Sequence, residues 1–378
     1  MTASQRNALL KLFNAAVSSV KGDVSVRSWL SRHGLKRPTQ IVAVGKAASA
    51  MFEGLPDDWR NEVPTYLVTK TDHLGDRTFG SNVTAFETSH PVPDRSSLEA
   101  GKWLRDFVAG CPSESHLLML VSGGASSLVE HLKPGVSRGD LVALTEAALA
   151  EGADIGEINK RRQAISAIKG GGLLASYQGQ HVDVLAISDV AGDSISVIGS
   201  GIGAAPKNAG CAYSCSVIAS NAVARDAVEQ SAKSIGLKTI TNQENMYADV
   251  LAVGARIAQE VMEGPEGLYV FGGEPTVVLP ENPGRGGRNQ ALALELARYI
   301  IDRNDIVGLV AGTDGTDGPT QAAGAFLDGQ TYKKLPGAEK ALKCADSSDY
   351  LSRIGDALIT GPTGTNVMDL AILLKQGS

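Results

Sequence analysis

The sequence predicts an α/β protein of two domains whose first half is a doubly wound parallel sheet. Three observations predict it. The chain has 378 residues, more than one hydrophobic core usually organises. Its apolar runs are short and lack polar alternation, as in strands covered on both faces. Glycine clusters close several of these runs, where turns or close backbone approach require a positive φ or a missing Cβ.

The runs lie at 41–44, 66–68, 117–121, 182–187, 217–219, 268–271 and 307–310. Helical stretches connect them, which points to parallel neighbours with helices packed on the sheet. The first 20 residues read as an amphipathic helix with Leu9, Leu10, Phe13 and Val17 on one side, and they lack the long apolar region of a secretory leader. A helix over 223–234 leads through a polar segment, 237–245, into a second helix over 247–262. The domain boundary is therefore placed near residue 240, giving domains 1–240 and 241–378. A helix over 290–301 has Leu292, Leu296 and Ile300 at helical spacing and Asn289 as its cap. Asn366, with Asp369 three residues on, reads as the cap of a helix over 367–373. Two such N-termini could face one anionic ligand.

Composition narrows the function. The formal charge is −6, with no basic stretch beyond pairs such as Arg161 and Arg162, so a nucleic-acid partner is not expected. An apolar fraction of 43% argues against a mainly disordered chain. No apolar run approaches the roughly 18–20 residues that cross a bilayer, so no membrane partner is expected and the cytoplasm is the expected location. Cys111, Cys211, Cys215 and Cys344 form no CxxC pair; they read as small buried hydrophobes in a reducing compartment, in preference to a zinc site.

Six segments carry candidate chemistry. In the first, Gly45 and Lys46 end the run 41–44, where open α/β sheets bind ligands. A Walker A loop would need glycine at 40 and Ser or Thr at 47, whereas the chain has Gln40 and Ala47. Lys46 reads equally as a functional lysine or an exposed structural one. In the second, Ser122, Gly123 and Gly124 follow the run 117–121. A hydrolase elbow would need glycine at 120, which is Leu120, so Ser122 is expected to donate hydrogen bonds in an oxygen-binding turn, the alternative being a purely structural turn. In the third, Asp189 and Asp193 lie just past the run 182–187. They suit Mg²⁺ held with phosphates, or acceptance of a hydroxyl proton, and equally the capping of a turn.

A relaxed GxGxxA at 199–204 does not join a strand to a helix, and Asp226, the next acid, falls in a helix. It keeps a nicotinamide-dependent reductase only as an alternative. The fourth segment runs from 271–276 through a strand to GRGGRNQ at 284–290. Arg285 and Arg288, framed by three glycines at a helix N-terminus, fit an anion clamp, because a guanidinium binds phosphate oxygens bidentately and stays charged. The last two segments, 312–319 with Thr313 and Asp314 and 361–366 with Thr363 and Asn366, offer hydroxyl, amide and carboxylate groups on tightly turned backbone. Their coincidence with the other glycine turns suggests a shared ligand cleft.

The segments GKAASAM, SHPVPD, SGGASSL, IKGGGLLA, ISDVAGD, GGEPTVVLP, GRGGRNQ, GTDGTDGPT and TGPTGTNVMDL occur in an order that resembles bacterial and archaeal glycerate 2-kinases, a family long labelled hydroxypyruvate reductase. The resemblance covers about residues 40–375. It implies a Rossmann-like N-terminal domain with flanking helices, a smaller MOFRL-like α/β domain with a mixed sheet, and an active site in the cleft between them. It also implies Lys46 and Arg288 as catalytic residues, ATP and Mg²⁺ as cofactors, and conversion of D-glycerate to 2-phosphoglycerate. On that basis Asp189 is expected to coordinate Mg²⁺ or take the 2-hydroxyl proton, with Asp314 as runner-up for both and Asp193 as a further metal ligand. Gly45, Ser122, Gly123, Gly124, Arg285, Asn289, Thr313, Asp314, Thr363 and Asn366 are expected to bind the nucleotide or acid. The partners are then a small-molecule sugar acid and a nucleotide, with a homo-oligomer left open. The stretch 199–205 and the short loop 130–137 depart from the family pattern and bear on which sugar acid is accepted. The alternatives are a kinase for another sugar acid, an NAD(P)-dependent hydroxypyruvate reductase, or a metabolite-binding protein without turnover.

Overall fold

A computed structural model describes residues 1–151, 155–205 and 210–377. The chain divides into two compact units, one formed by Lys21–Ser220 and the other by Met1–Val20 with Asn221–Ser378.

The unit Lys21–Ser220 holds six strands, β1 (Gln40–Val44), β2 (Thr65–Lys70), β3 (Val83–Thr88), β4 (His116–Val121), β5 (His181–Ile187) and β6 (Ala212–Ala219). All pairs are parallel, in the order β3-β2-β1-β4-β5-β6. This is the Rossmann order, and the winding reverses between β1 and β4, so the loops leaving those two strands flank the usual ligand crevice. β1 and β4 are buried almost throughout, as their unbroken apolar runs require. Val42, Val44, Met119, Val121 and Val184 share a core with Leu104 and Val108. Those two leucine and valine side chains come from the helix Arg95–Ala109, whose start is fixed by Asp94 accepting from the Ser96 and Ser97 amides. β3 was not expected, because its half-exposed, polar-rich sequence carries no apolar run.

The second unit holds β7 (Thr239–Met246), β8 (Gly267–Gly273), β9 (Ile306–Gly312), β10 (Gly324–Asp328), β11 (Ala357–Leu358) and β12 (Asp369–Lys375). Their order is β11-β10-β9-β12-β8-β7. Only β7 and β8 pair in parallel, so the sheet is mixed. The helix Arg288–Tyr299 is nearly wholly buried, and its Leu292, Leu294 and Leu296 pack with Ile257, Val310 and Leu373.

The structure differs from the sequence expectations at four places. The compact units divide at Ser220 and not near 240, because the helix Asn221–Ser234 packs on β7 and β8. The N-terminal helix Ala3–Ser19 packs on that same helix and joins the same unit, burying Leu9, Leu12, Phe13, Ala16 and Val17 while Leu10 stays part-exposed. The segment 367–373 is not a helix. Its uninterrupted apolar run forms β12, wedged between β8 and β9, which is how a strand covered on both faces reads. The strand expected beyond Thr276 reduces to a single bridge with Asp249.

Candidate active site

The first cluster forms where β1 and β4 end. The register pairs Val44 with Val121, so Gly45 and Ser122 meet. At Gly45, φ is +133°, and a Cβ there would lie 2.1 Å from Ser122 Oγ and 2.5 Å from Ser122 O. Only glycine permits that approach. The Lys46 amide donates to Gly123 O at 2.9 Å, and the Ala47 amide donates to Ser122 Oγ at 3.1 Å. The buried Ser122 hydroxyl thus accepts a bond that locks the two turns together.

The next two glycines admit side chains. A Cβ at Gly123 would lie 1.9 Å from Asp189 Oδ2, and one at Gly124 would lie 3.0 Å from Lys46 Cγ and 3.2 Å from His90 Cδ2. Lys46, Asp189 and His90 therefore converge on one glycine turn at the switch point. Asp193 ends the short turn Ala191–Asp193 at φ +52° and is not among the groups closing on Gly123 and Gly124. Replacing Gly123 by alanine should displace the Asp189 carboxylate without touching backbone. We expect Gly123→Ala to cost roughly 10²-fold in turnover, the usual consequence of misplacing a reacting group by about 1 Å, with the melting temperature nearly unchanged. A fall in melting temperature with normal turnover per folded molecule would contradict this.

Burial pushes the His90 imidazole down to about 4, helped by the charges of Lys46, Lys70 and His73. His90 is therefore neutral at physiological pH and adds no charge beside Lys46. Its folded value lies below its unfolded one, so the unfolded chain binds the extra proton first. The stability this group contributes is fully present above about 6.5 and is lost as pH falls through about 4, by up to roughly 3 kcal/mol. His90→Gln should flatten the loss of stability between pH 7 and 4 in denaturant titrations; an unaltered slope would contradict the burial argument.

The second cluster lies at the start of the helix Arg288–Tyr299. The helix begins two residues earlier than expected, and its amides are not capped by Asn289. Asp317, 2% exposed, does so from another loop. Its Oδ1 accepts from Asn289 N at 3.0 Å, and its Oδ2 accepts from Gln290 N at 2.8 Å and Gln290 Nε2 at 3.0 Å. A Cβ at Gly287 would lie 2.2 Å from Asp317 Cγ, so this glycine makes room for the cap. Burial pushes the Asp317 carboxyl up to about 6, while these donors pull the other way.

Arg288 is held on two sides. Its Nε donates to Asp369 Oδ2 at 2.5 Å and Nη2 to Asp369 Oδ1 at 3.4 Å, while Nη1 lies 2.8 Å from Glu274 Oε1. Asn289 Nδ2 also donates to Asp369 Oδ1, at 2.9 Å. Burial alone would lower the Arg288 pKa, but the charges of Asp369, Glu274 and Asp317 outweigh it and hold the guanidinium charged. Burial likewise raises Asp369, against the pull of Arg288. Of the five guanidinium N–H groups, these contacts use three.

Arg285 and Arg288 line different cavities. Arg285 is exposed and lines a cavity of about 500 Å³ with Asp346, Ser348 and Asp349. Arg288 lines another, of about 290 Å³, with Val277, Leu279, Pro283 and Pro319. The neighbouring glycines also serve packing rather than ligand access, since a Cβ at Gly284 or Gly286 would lie 2.5 Å from Asp346 Cβ or Ser347 Oγ.

Thr313, Thr363 and Asn366 are brought together, but as struts. Thr313 Oγ1 donates to Met368 O at 2.7 Å and accepts from Val367 N at 2.8 Å. Thr363 Oγ1 donates to Thr313 O at 2.6 Å. Asn366 Oδ1 accepts from Met368 N at 3.2 Å, closing a turn and not capping a helix. Together they fix the backbone that carries Asp369. Asp314 accepts from the Thr316 amide at 2.9 Å and, by its charge, adds to the upward push on Asp369.

Among the described residues no three His, Cys, Asp or Glu side chains are grouped to hold a metal. No helix among them is long and apolar enough to cross a membrane. Gly199 and Gly201 sit in the short turn Ile198–Gly201, where a Cβ on Gly199 would lie 3.0 Å from Ala125 Cβ, so this turn packs on a helix start. The sequence reading singled out neither His90 nor Glu274, although both lie in quoted motifs, and it took Asp369 only for the companion of an Asn366 helix cap.

A Rossmann-order sheet with charged side chains gathered at its switch point, and a mixed sheet presenting a carboxylate-cradled arginine, define a two-unit α/β enzyme of small anionic metabolites. Two family profiles match: a domain of unknown function, DUF4147, over residues 8–235 and the MOFRL family over 267–369. The chain is 33% identical to the D-glycerate 2-kinase of Thermotoga maritima, covering 98% of each chain. It is 32% identical to the glycerate 2-kinase of Pyrococcus horikoshii, over 90% of this chain and 88% of that one. A putative hydroxypyruvate reductase of Agrobacterium vitis is 30% identical over 98% of this chain and 94% of its own. The crystal structure of glycerate kinase from Thermotoga maritima superposes with a TM-score of 0.87 at 31% identity, covering 99% of this chain and all of that one. The chain belongs to the glycerate 2-kinase family. Membership of a kinase family brings a nucleotide and a small-molecule acceptor as its substrates.

Proposed function

We propose that the protein transfers the γ-phosphoryl group of ATP to the 2-hydroxyl of D-glycerate, giving 2-phosphoglycerate and ADP. The observation that carries this reading is the convergence of Lys46 and Asp189 on the Gly123 and Gly124 turn at the switch point. The relatives named glycerate 2-kinase and the structural neighbour named glycerate kinase support the choice of reaction.

Phosphoryl transfer asks little covalent chemistry of a protein, so positioning and positive charge supply most of the acceleration. Lys46 neutralises charge on the transferring phosphoryl group. Arg288, charged and with two N–H groups uncommitted, holds phosphate oxygens. The exposed Arg285 serves, at most, as a peripheral nucleotide contact. Asp189 accepts the 2-hydroxyl proton. The donor set also suits Mg²⁺, which takes one or two carboxylates and completes its shell with water and substrate phosphates; Asp189 would hold it, and it would supply charge neutralisation at the phosphates. The cytoplasm is the location that fits, since nucleotide is available there and unpaired cysteines stay reduced.

The test is the position of the new phosphate. Incubated with ATP, Mg²⁺ and D-glycerate, the protein should yield a product whose phosphorus couples to the C2 proton in NMR spectra. Phosphate on C3, or no phosphorylated glycerate, would contradict the reading.

A further inference from the structure

We propose that Arg162 binds the carboxylate of the acid acceptor and thereby selects hydroxy acids over neutral alcohols. This rests on the phosphoryl-transfer reading above and adds the residue that reads the acid.

Arg162 lies in the helix Ile155–Ile165. Its Nε is buried and has no hydrogen-bond partner. Its Nη1 makes one long bond, 3.4 Å to Ser126 Oγ. The cations around it are matched: Arg161 pairs with Glu151 and Glu157, and the buried Lys169 pairs with Glu130. Among the described residues no carboxylate comes within 4.0 Å of the Arg162 guanidinium. Burial pushes its pKa down, with the Glu130 charge acting against that, yet a guanidinium stays charged in a protein. A half-buried cation whose Nε is shut off from solvent and unpartnered is costly, and an anionic ligand would remove the cost.

The surroundings say which anion. Ser126 stands two residues beyond Gly124, against which the Lys46 stem lies, so Arg162 reaches the same turn that carries the proposed chemistry. Ser126 Oγ bonds Ser200 Oγ at 2.6 Å, and Ser200 Oγ donates to Asn159 Oδ1 at 2.8 Å. These neutral groups can orient a carboxylate but cannot neutralise it. In a 2-hydroxy acid the carboxylate and the reacting hydroxyl sit on adjacent carbons, so the carboxylate binder must lie beside the phosphoryl-transfer turn.

The experiment compares wild type, Arg162→Gln and Arg162→Lys with D-glycerate and with its neutral amide as acceptors. Arg162→Gln should lower kcat/KM for glycerate roughly 10²-fold, the scale of losing one charged partner, with little change for the amide and KM for ATP within about twofold. Arg162→Lys should recover part of the loss, and added guanidinium should partly rescue Arg162→Gln. The unliganded Arg162→Gln protein should melt at or above the wild-type temperature, since an uncompensated half-buried charge has been removed. Equal losses for acid and amide, or a rise in KM for ATP alone, would overturn the proposal. Calorimetry with D-glycerate and no nucleotide separates it from the kinase reading. Binding by wild type that is lost in Arg162→Gln supports the assignment even without turnover, whereas equal binding, or none by wild type, overturns it.

Discussion

Lys46→Ala is expected to lower kcat for glycerate phosphorylation by about 10²–10³-fold, the loss that follows removal of a single electrostatic stabiliser in a preorganised site. The side chain is half-buried against Gly124 and lies beside the neutral His90. Its ammonium therefore brings a positive charge to that corner of the turn. Its backbone, by contrast, is tied to Gly123 and to the His73 ring at 3.1 Å, and these bonds survive truncation of the side chain. The variant should consequently fold normally, with KM for glycerate changed far less than kcat. Steady-state kinetics alongside thermal melts check this, and near-normal turnover would remove Lys46 from the chemistry.

Arg288→Ala is expected to cost both activity and stability. Asp369 is 1% exposed and would lose its charge partner, keeping only the Asn289 amide. Breaking a fully buried pair typically costs about 3–5 kcal/mol. Here the arginine side chain is 36% exposed, so roughly 2–3 kcal/mol is expected after allowing for solvent screening. The cost should shrink at acid pH, because burial already raises the Asp369 pKa and a protonated Asp369 no longer needs a cation. Arg288→Lys should not restore wild-type behaviour, since one ammonium cannot span Asp369 and Glu274 as the planar fork does. Urea unfolding at neutral and acid pH measures the stability loss, and single-turnover kinetics the catalytic one. Full stability in Arg288→Ala would show that the cradle is not coupled to the fold.

Much of this was legible in the sequence for a physical reason. β1, β4, β5 and β9 are covered on both faces, and such strands must be written as apolar runs. β3 and β7 lie at sheet edges and carry polar residues, so nothing in their composition marked them. β12 was misread because an Asn366 and Asp369 spacing mimics a cap, while the strand that Asp369 opens is defined by β8 and β9, which are distant in sequence. The same limit applied to the site. Gly45, Lys46, Gly123, Gly124 and Asp189 could be chosen one by one as residues at strand ends, but the order β1-β4-β5 that joins them is a tertiary fact. Arg288 was legible from its glycine setting, whereas its partner Asp369 lies 81 residues away. Arg285 was grouped with Arg288 by sequence proximity, and the fold turned it to a different cavity.

The account stands most directly on one assay, in which ADP release and nicotinamide absorbance are followed in parallel with D-glycerate plus ATP and with hydroxypyruvate plus NADH or NADPH. It predicts ADP formed mole for mole with glycerate consumed, abolished in Lys46→Ala, and no change in nicotinamide absorbance. Oxidation of the nicotinamide with no ADP formed would contradict it.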